Sequence, residues 1–307
     1  MKVDRLPSTG ETLLGTGYRV DYGGKGSNQA VGCVRLGARV SFVARVGKDA
    51  FGEMALSLYR EEDIDVSHVK QTIEAPTGVG FILVEAASAH NCITIDPGAN
   101  ELLTAADVSQ CESVLNSSAV VLTQLEIPVA TAQAALARGR ACGAITILNP
   151  APVRPLPSSV LRLVDILTPN QSEARVLTGR SPDAAVKPEE LARELIRMGV
   201  KQVVLTLGEK GALIVTASSS ILVPAIPMRA VDTTGAGDAF NAGLATALAY
   251  GASVEDAVRF AVVIAGLAVT KEGVIPSLPN RDEVLRCYRQ NNLERPDWFV
   301  ADSLAKH

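Results

Sequence analysis

Beyond residue 98, short apolar runs alternate with segments in which apolar residues recur at helical spacing. The runs predict buried strands, and the intervening segments predict helices. The predicted strands cover residues 119–122, 144–148, 165–170 and 202–207, with a hairpin at 212–223. The predicted helices cover residues 105–116, 128–139, 188–198, 238–250, 254–270 and 281–290. Apolar strands that alternate with helices are typical of an α/β fold, with a mostly parallel sheet covered by helices on both faces.

The part of the chain before residue 98 carries more strand than helix. Residues 1–22 predict short strands and turns, and residues 77–95 predict strands, of which 79–84 is the clearest. The segments between them predict a helix at 30–36, a strand at 40–46 and a second helix that begins near residue 49. No internal repeat relates the two parts of the chain.

Composition narrows the class of protein. Of the 307 residues, 47% are hydrophobic and 20% are charged, which is the balance of a soluble globular protein with one large domain or two ordinary ones. A net charge of −4 gives no sign of a nucleic-acid or anionic-membrane partner, and no apolar run is long enough to span a membrane. Five scattered cysteines and three unclustered histidines suggest reduced thiols in a cytoplasmic protein, without a disulfide framework or a zinc site.

Polar side chains follow the predicted strands at the points where the strands end. These positions are Gln124, Glu126, Asn149, Asn170, Glu173, Thr206, Gly208 and Asp232. Parallel α/β sheets bind their ligands at the carboxyl ends of the strands. Because the pattern recurs at equivalent positions, it favours a binding site over a series of unrelated turns.

The stretch from Asp232 to Asp238 reads Asp-Thr-Thr-Gly-Ala-Gly-Asp and precedes an apolar helix. It predicts a helix N-terminus, where unpaired N–H groups and the positive end of the helix dipole can hold an anion. Gly235 and Gly237 let the backbone approach that anion closely. Asp238 would lie in the first helical turn, where a carboxylate can accept a proton from a hydroxyl that attacks a phosphoryl group. The alternative is that Asp238 only caps the helix.

The common nucleotide-binding motifs are absent from the sequence. There is no G-x-x-x-x-G-K-[ST] motif, and no G-x-G-x-x-G motif follows a predicted strand. Both P-loop chemistry and hydride transfer on a nicotinamide cofactor are therefore disfavoured.

Several motifs do occur in the order and spacing of one known family. The chain contains Gly-Gly-Lys-Gly-Ser-Asn-Gln-Ala from Gly23, Leu-Asn-Pro-Ala-Pro from Leu148, and Ile-Leu-Thr-Pro-Asn-Gln-Ser-Glu-Ala from Ile166. With Asp-Thr-Thr-Gly-Ala-Gly-Asp from Asp232, this set resembles the ribokinase-like (PfkB) carbohydrate kinases. The resemblance extends from about residue 7 to about residue 288.

The resemblance implies both a fold and an activity. A Rossmann-like α/β kinase domain would comprise residues 23–75 and 98–290, a small β-sheet lid residues 1–22 and 76–97, and a C-terminal tail residues 291–307. The lid would close on the sugar and form the contact of a homodimer. The activity would be ATP-dependent phosphorylation of the hydroxymethyl group of a pentose, for which the detailed motifs favour D-ribose, with Mg²⁺ and K⁺ as cofactors.

The same resemblance implies roles for residues at the sugar and at the transferred group. Asp238 would be the catalytic base, and the anion hole would be formed by the amides of Gly235, Ala236 and Gly237. The sugar would contact Asp238 together with Gly24, Lys25, Asn28 and Glu126. Amide, ammonium and carboxylate groups supply both the donors and the acceptors that a polyhydroxylated ligand needs. In isolation, Lys25 and Asn28 could instead be a solvated helix N-terminus.

The resemblance also implies sites for the nucleotide and the cations. The nucleotide would be bound by Asn170, Thr206, Gly208, Gly211 and Gly237. Glu173 would help to hold Mg²⁺, which keeps several waters and takes few protein ligands. A K⁺ loop would use, mostly through backbone carbonyl oxygens, Asp232, Thr234, Ala268, Lys271, Gly273 and Ser277. The structural alternatives are a helix cap at Asn170 and Glu173 and an ordinary helix exit at 268–277.

One feature departs from the family pattern. Chains of the family normally begin with a buried apolar strand that ends in Asn-x-Asp, whose Asp binds the sugar, and here Met1 falls after that strand. Asp4 is too close to the stretch at 9–12 to take that role. We expect either a start assigned too far downstream, which we favour, or a protein without the strand. Without it, two strand edges and apolar surface would be exposed.

Three functions remain open at this point. The first is a D-ribose kinase, and the second is another PfkB sugar or nucleoside kinase, such as a deoxyribokinase or a fructokinase. The third is an N-terminally truncated protein that binds nucleotide with weak or no catalysis. The intact Asp238 and the glycines before it favour an enzyme.

Overall fold

The computed structural model describes residues 1–85 and 91–299. Residues 86–90 of the predicted lid and 300–307 of the predicted tail lie outside the described residues. The strands are β1 (Lys2–Val3), β2 (Ala44–Gly47), β3 (Val69–Thr72), β4 (Val79–Glu85), β5 (Asn91–Asp96), β6 (Val120–Thr123), β7 (Ile145–Leu148), β8 (Ile166–Leu167), β9 (Gln202–Thr206), β10 (Ala212–Val215) and β11 (Ser220–Val223). The helices are α1 (Lys25–Arg35), α2 (Ala50–Glu61), α3 (Ala105–Ser109), α4 (Glu112–Ser117), α5 (Val129–Ala141), α6 (Ser158–Leu161), α7 (Gln171–Leu177), α8 (Pro188–Arg197), α9 (Ala236–Ala249), α10 (Val254–Ala268) and α11 (Arg281–Gln290).

A six-stranded sheet forms the centre of the molecule, in the order β11-β10-β9-β8-β7-β6. The four strands from β6 to β9 are parallel, while β10 and β11 form the predicted hairpin and run antiparallel. Successive residues of a strand face opposite sides of a sheet. Accordingly, Val204 packs into the core that contains α1, α9 and α10, whereas Val203 and Leu205 pack against α5, α7 and α8. The predicted α/β fold with helices on both faces is confirmed.

Several predicted elements have different bounds in the structure. The first predicted helix begins at Lys25 rather than at residue 30, because its polar first turn is part of the helix. The helix predicted at 105–116 is divided into α3 and α4 by a turn at Gln110 and Cys111. Strand β8 is only two residues long, since Pro169 follows and lacks the N–H that would continue the ladder. Helices α6 and α7 were not predicted. Among the described residues, no helix is long and apolar enough to cross a membrane.

Strands β2 and β3 form a separate parallel pair that is not hydrogen-bonded to the six-stranded sheet. The N–H groups of Phe42 and Ala44 donate to carbonyl groups of the segment that leads into β3. The carbonyl groups of Ala119 and Thr123 accept from N–H groups at the two ends of β7. By alternation, the intervening backbone groups of β2 and β6 point the other way. A cleft of about 2480 Å³ reaches the region between these two strands and continues into the polar site described below. The strand edges expected from the sequence are therefore present, one on each side of this cleft.

The small sheet consists of β1, β4 and β5, in the order β1-β4-β5. Strand β1 is parallel to β4, and β5 is antiparallel to β4. The two segments of the predicted lid thus contribute to one sheet. Phe81 is 66% exposed, Ile82 40% and Ile95 44%. Because Gly80 is opposite Ile95, Ile82 and Ile95 share one face of this sheet and Phe81 lies on the other.

The chain after α11 folds back onto the core. Phe299 is fully buried and lies 4.8 Å, between ring centroids, from Phe260 of α10. Trp298 stacks on Tyr250 at a centroid distance of 6.0 Å. The part of the predicted tail that the structure describes therefore belongs to the same hydrophobic core as α9 and α10.

Phe299→Ala should destabilise the protein as a large core truncation does. We expect a loss of about 3–5 kcal/mol in the free energy of unfolding, because the buried ring leaves a cavity beside Phe260. Urea unfolding would measure it, with Leu14→Ala at a 95% exposed side chain as the control. A loss for Phe299→Ala as small as that of the control would contradict the assignment of this segment to the core.

Candidate active site

The first turn of α1 forms one wall of the polar end of the cleft. Gly24 is the N-cap, with φ of 89°, a conformation that glycine adopts without strain. The N–H of Lys25 donates to Oε2 of Glu126 at 2.7 Å. Glu126 follows β6, so this bond joins the carboxyl end of a strand to the start of a helix. Gly24, Lys25 and Glu126 all line the cleft.

The N-terminus of α9 forms the opposite wall. Gly235 caps the helix in the left-handed region, with φ of 81°. A Cβ at this position would come within 2.7 Å of Val274, so both the backbone and the packing require glycine. A Cβ at Gly237, in contrast, would meet nothing within 4 Å. Space is therefore open beside Gly237 in the first helical turn, while the N–H of Ala236 donates to the carbonyl group of Thr233 at 3.2 Å.

The carboxylate of Asp238 lies between the two walls and is only 6% exposed. Nδ2 of Asn28 donates to its Oδ2 at 2.8 Å, and Nε2 of Gln29 donates to its Oδ1 at 2.9 Å. Oδ1 of Asn28 is buried and has no hydrogen-bond partner among the described residues. Such a group favours a ligand that donates a hydrogen bond, because an unpaired buried acceptor is costly.

Two further carboxyl groups are electrostatically coupled to this site. Burial raises the pKa of the Glu126 carboxyl above its ordinary value, although the Lys25 N–H acts against this shift. Burial likewise raises the pKa of the Glu173 carboxyl, against the hydrogen bond from the Asn170 N–H. In both cases the charge of Lys25 lowers the pKa and the charge of Asp238 raises it.

Four of the five residues predicted to bind nucleotide lie beyond this cleft, near the ends of β8 and β9, and the fifth, Gly237, lies in the first turn of α9. Asn170 caps α7 in a capping box with Glu173, and it forms a parallel bridge with Thr206. A Cβ at Gly208 would meet nothing within 4 Å, so the loop after β9 is open there. A Cβ at Gly211 would lie 2.0 Å from the carbonyl oxygen of Val223, so this glycine is required for packing.

The residues predicted to form a cation loop are partly brought together. The carboxylate of Asp232 accepts hydrogen bonds from the N–H groups of Thr234 at 2.9 Å and Gly273 at 3.0 Å. Burial acts to raise the pKa of Asp232, but these bonds outweigh it and the pKa is lowered. Lys271 and Ser277 direct their side chains elsewhere, to Glu283 and to the Val274 carbonyl respectively. The Ala268 carbonyl at the end of α10 accepts from the Lys271 N–H.

The chain is similar to known proteins over most of its length. The sequence pattern of the pfkB family carbohydrate kinases matches residues 1–281. A ribokinase from Haemophilus influenzae is 39% identical over 288 residues, which is 93% of each chain. A deoxyribokinase from Salmonella typhi is 34% identical, over 91% of this chain and 92% of its own. The structure of Arabidopsis thaliana ribokinase complexed with ribose and ATP has a TM-score of 0.83 at 32% identity, over 93% of each chain.

The chain belongs to the pfkB family of carbohydrate kinases.

In this pfkB carbohydrate kinase, the donors of a cation site are few. Among the residues that the structure describes, no group of three or more His, Cys, Asp or Glu side chains could hold a metal ion. Glu173 stands alone, with one carboxylate oxygen engaged by the Asn170 N–H at 2.8 Å. This arrangement fits Mg²⁺, which is usually held by one or two carboxylates, waters and substrate phosphates. At the predicted cation loop, the Asp232 carboxylate supplies oxygen atoms of the kind that would hold a monovalent cation, and each of them also accepts one backbone N–H.

Sequence reasoning missed one residue of the polar site, Gln29. It precedes the helix predicted at 30–36, but in the structure it lies in the second turn of α1 with a side chain that is 1% exposed. Gln124 and Asn149 were noticed as polar residues at strand ends, without a role, and both contact Gln29. The available signal was the run of polar residues from Lys25 to Gln29, which is too polar for a helix whose only role is to fill a core.

Glu126→Gln should change how stability depends on pH. Because burial raises the pKa of Glu126 above 4.5, the unfolded chain releases this proton at a lower pH than the folded protein does. The contribution of Glu126 to the free energy of unfolding is therefore complete below the unfolded-state pKa, and it is lost as pH rises through the folded-state pKa. Relative to wild type, Glu126→Gln should therefore become more stable as pH rises from the unfolded-state pKa through the folded-state pKa of Glu126, and the difference should be constant above it.

Urea unfolding at a series of pH values would measure this effect. Glu74→Gln, at an exposed glutamate, provides the matched control. A wild-type-to-variant difference that is the same at every pH would show that Glu126 does not carry the shift.

Proposed function

We propose that this protein transfers the γ-phosphoryl group of ATP to the hydroxymethyl oxygen of D-ribose. The observation that carries the proposal is the position of the Asp238 carboxylate. It lies in the first turn of α9, beside open space at Gly237, where it lines the cleft and accepts hydrogen bonds from Asn28 and Gln29 of α1. The resemblance of the chain to ribokinases over most of its length supports ribose as the sugar.

The proposed sugar site lies between α1 and the end of β6. Glu126 supplies acceptor oxygens, Lys25 supplies an ammonium group, and the unpaired Oδ1 of Asn28 accepts from a sugar hydroxyl. Gly24 leaves room for the sugar beside Glu126, since a Cβ there would be 3.9 Å from the carboxylate. Donors and acceptors that converge in a partly buried site suit a small polyhydroxylated ligand.

The proposed reaction uses Asp238 as general base. Its carboxylate takes the proton of the hydroxymethyl group as that oxygen forms a bond to the γ-phosphorus, and the bond from the γ-phosphorus to the bridging oxygen of ADP breaks. The amides of Gly235, Ala236 and Gly237 face the negative charge on the transferred group. Donors that are already oriented stabilise such charge with little reorganisation.

The nucleotide and cations are proposed to occupy the sites that the family resemblance implied. Asn170, Thr206, Gly208 and Gly211 would bind ATP at the ends of β8 and β9, beside Gly237. Mg²⁺, held through Glu173 and water, would neutralise phosphate charge, and K⁺ at the loop of Asp232 and Gly273 would keep the anion hole in shape. The small sheet would cover the sugar with one face and form a homodimer with the other, which its exposed Phe81, Ile82 and Ile95 support. We propose that the enzyme works in the cytoplasm.

Release of ADP from Mg-ATP in the presence of D-ribose tests the function. We expect ribose-dependent turnover that rises when K⁺ replaces a non-activating cation. A panel of 2-deoxyribose, fructose and nucleosides would be run beside ribose, because the chain also matches a deoxyribokinase. Faster turnover of another sugar would replace ribose, and no sugar-dependent turnover would favour a nucleotide-binding protein without catalysis.

Asp238→Asn should abolish this turnover and leave ATP binding nearly unchanged. An amide cannot take the proton, and loss of a general base typically lowers kcat by about 10²–10⁴-fold. The side chain keeps its shape, so the folded structure should persist. Turnover near that of the wild type would show that Asp238 is not the base.

Glu173→Gln should raise the concentration of Mg²⁺ needed for half-maximal activity. The amide is a weaker cation ligand than the carboxylate but can still accept the Asn170 N–H and preserve the cap. A Mg²⁺ titration at saturating ATP and sugar would measure the shift, with Glu189→Gln on the exposed side of α8 as the control. An unchanged titration would remove Glu173 from the metal site.

A further inference from the structure

Gln29 makes three hydrogen bonds within the polar site, although its side chain is only 1% exposed. Its Nε2 donates to Oδ1 of Asp238 at 2.9 Å and to Oδ1 of Asn149 at 3.1 Å. Its Oε1 accepts from Nε2 of Gln124. One amide thus joins α9 to the carboxyl ends of β6 and β7.

The orientation of this amide follows from chemistry. The Asp238 carboxylate can only accept hydrogen bonds, so the nitrogen of Gln29 must face it. The oxygen of Gln29 then faces Gln124, whose nitrogen must donate. The donor of Gln124 thus supports the direction of the Gln29 amide that Asp238 and Asn149 require.

The same network continues beneath the N-terminus of α9. Nδ2 of Asn149 donates to the carbonyl of Thr168 at 3.2 Å, and the Thr168 hydroxyl bonds to Oδ1 of Asn241 at 2.7 Å. Nδ2 of Asn241 donates to the carbonyl of Gly237 at 2.8 Å. The strand ends are thus connected both to the carboxylate of Asp238 and to the helical turn that carries the proposed anion hole.

The two donors to Asp238 differ in how firmly they are held. Gln29 is fixed by Asn149 and Gln124 as well as by Asp238, and changing its orientation would break all three bonds. Asn28 lines the cleft, and its own Oδ1 has no partner. A ligand hydroxyl can therefore displace Asn28 from Oδ2 of Asp238 far more easily than anything can displace Gln29 from Oδ1.

We propose that Gln29 is a positioning residue that anchors Oδ1 of Asp238, so that Oδ2 is the oxygen that accepts the proton of the substrate hydroxyl. Gln124 acts behind it by supporting the direction of the Gln29 amide. This inference rests on the proposed function, in which Asp238 is the base. A purely structural role for Gln29, as a buried polar group that merely satisfies its neighbours, is the alternative.

Substitutions at Gln124 separate the two roles, because Gln124 does not touch Asp238 in the network described above. In Gln124→Glu, a carboxylate repels the oxygen of Gln29 and competes with Asp238 and Asn149 for its nitrogen, which weakens the hold of Gln29 on Oδ1 of Asp238. In Gln124→Met, the amide of Gln29 loses a donor but can keep its direction. We expect kcat to fall at least about 30-fold in Gln124→Glu and less than about 5-fold in Gln124→Met, with the KM for the sugar within about 3-fold in both.

Gln29→Met should lower kcat at least as much as Gln124→Glu does. Thr146→Val is the matched control, because Thr146 is fully buried, bonds to Asp165 and Leu163 at the start of β7, and lies outside the cleft. It should lower the melting temperature and leave kcat within about 2-fold. Comparable kcat values for both Gln124 variants, or a larger loss in Gln124→Met, would overturn the inference.

Failure of the proposed function would be recognised separately. If wild type turns over another sugar, the same variants are compared with that sugar. If wild type turns over no sugar, crystal structures of wild type and both Gln124 variants decide the inference. An Asp238 carboxylate that rotates in Gln124→Glu but not in Gln124→Met supports it, and the same carboxylate position in all three structures overturns it.

Discussion

The burial of the Asp238 carboxylate is the constraint on which the arrangement of the site depends. A carboxylate that is 6% exposed must be matched by donors, because an unpaired buried charge is very costly. Both donors come from consecutive residues of α1, so the two helices must meet in one register. One turn further along each helix, Gly32 faces Ala242, and a Cβ at Gly32 would come within 2.6 Å of the Ala242 methyl. The small residues at that contact allow the helices close enough for the polar contact above it.

This contact also matters because the sheets are divided. Strands β2 and β3 are not hydrogen-bonded to the six-stranded sheet, so their connection to it passes through the core shared by α1, α9 and their neighbours. The cleft that separates the sheets is continuous with the polar site. The strand edges beside it carry backbone groups that need water or another backbone as partner. The position of α1 is therefore set by its packing on α9 and by its bonds to Asp238 and Glu126, more than by the strand that follows it.

The sequence predicted the fold well where local patterns decide, and less well where distant residues meet. Runs such as 202–207 are apolar because both faces of the sheet are covered, and this signal is strong. The start of α1 was missed because Lys25 to Gln29 are polar, and only their contacts with α9 explain why polar residues are buried there. The motif around Gly235 indicated a helix N-terminus correctly. Gly235 has a left-handed backbone conformation and packs closely against Val274, so glycine is the residue that fits there. The partners of Gln29 are separated from it by 95 to 209 positions, and no local pattern reports such contacts.

The three carboxyl groups of the site differ in whether the protein or a ligand stabilises their ionised form. The charge of Lys25 lowers the pKa of both Glu126 and Glu173, whereas burial and the charge of Asp238 raise both pKa values and so work against ionisation of these two carboxyl groups. A cation near Glu173 would relieve this repulsion and favour its ionised form, and donation from sugar hydroxyls would do the same for Glu126. Asp238 differs from both, because Asn28 and Gln29 already donate to its two oxygens. The protein thus provides the hydrogen-bond donors for Asp238, the proposed base, before any ligand binds. The ionised forms of Glu126 and Glu173 depend more on their ligands.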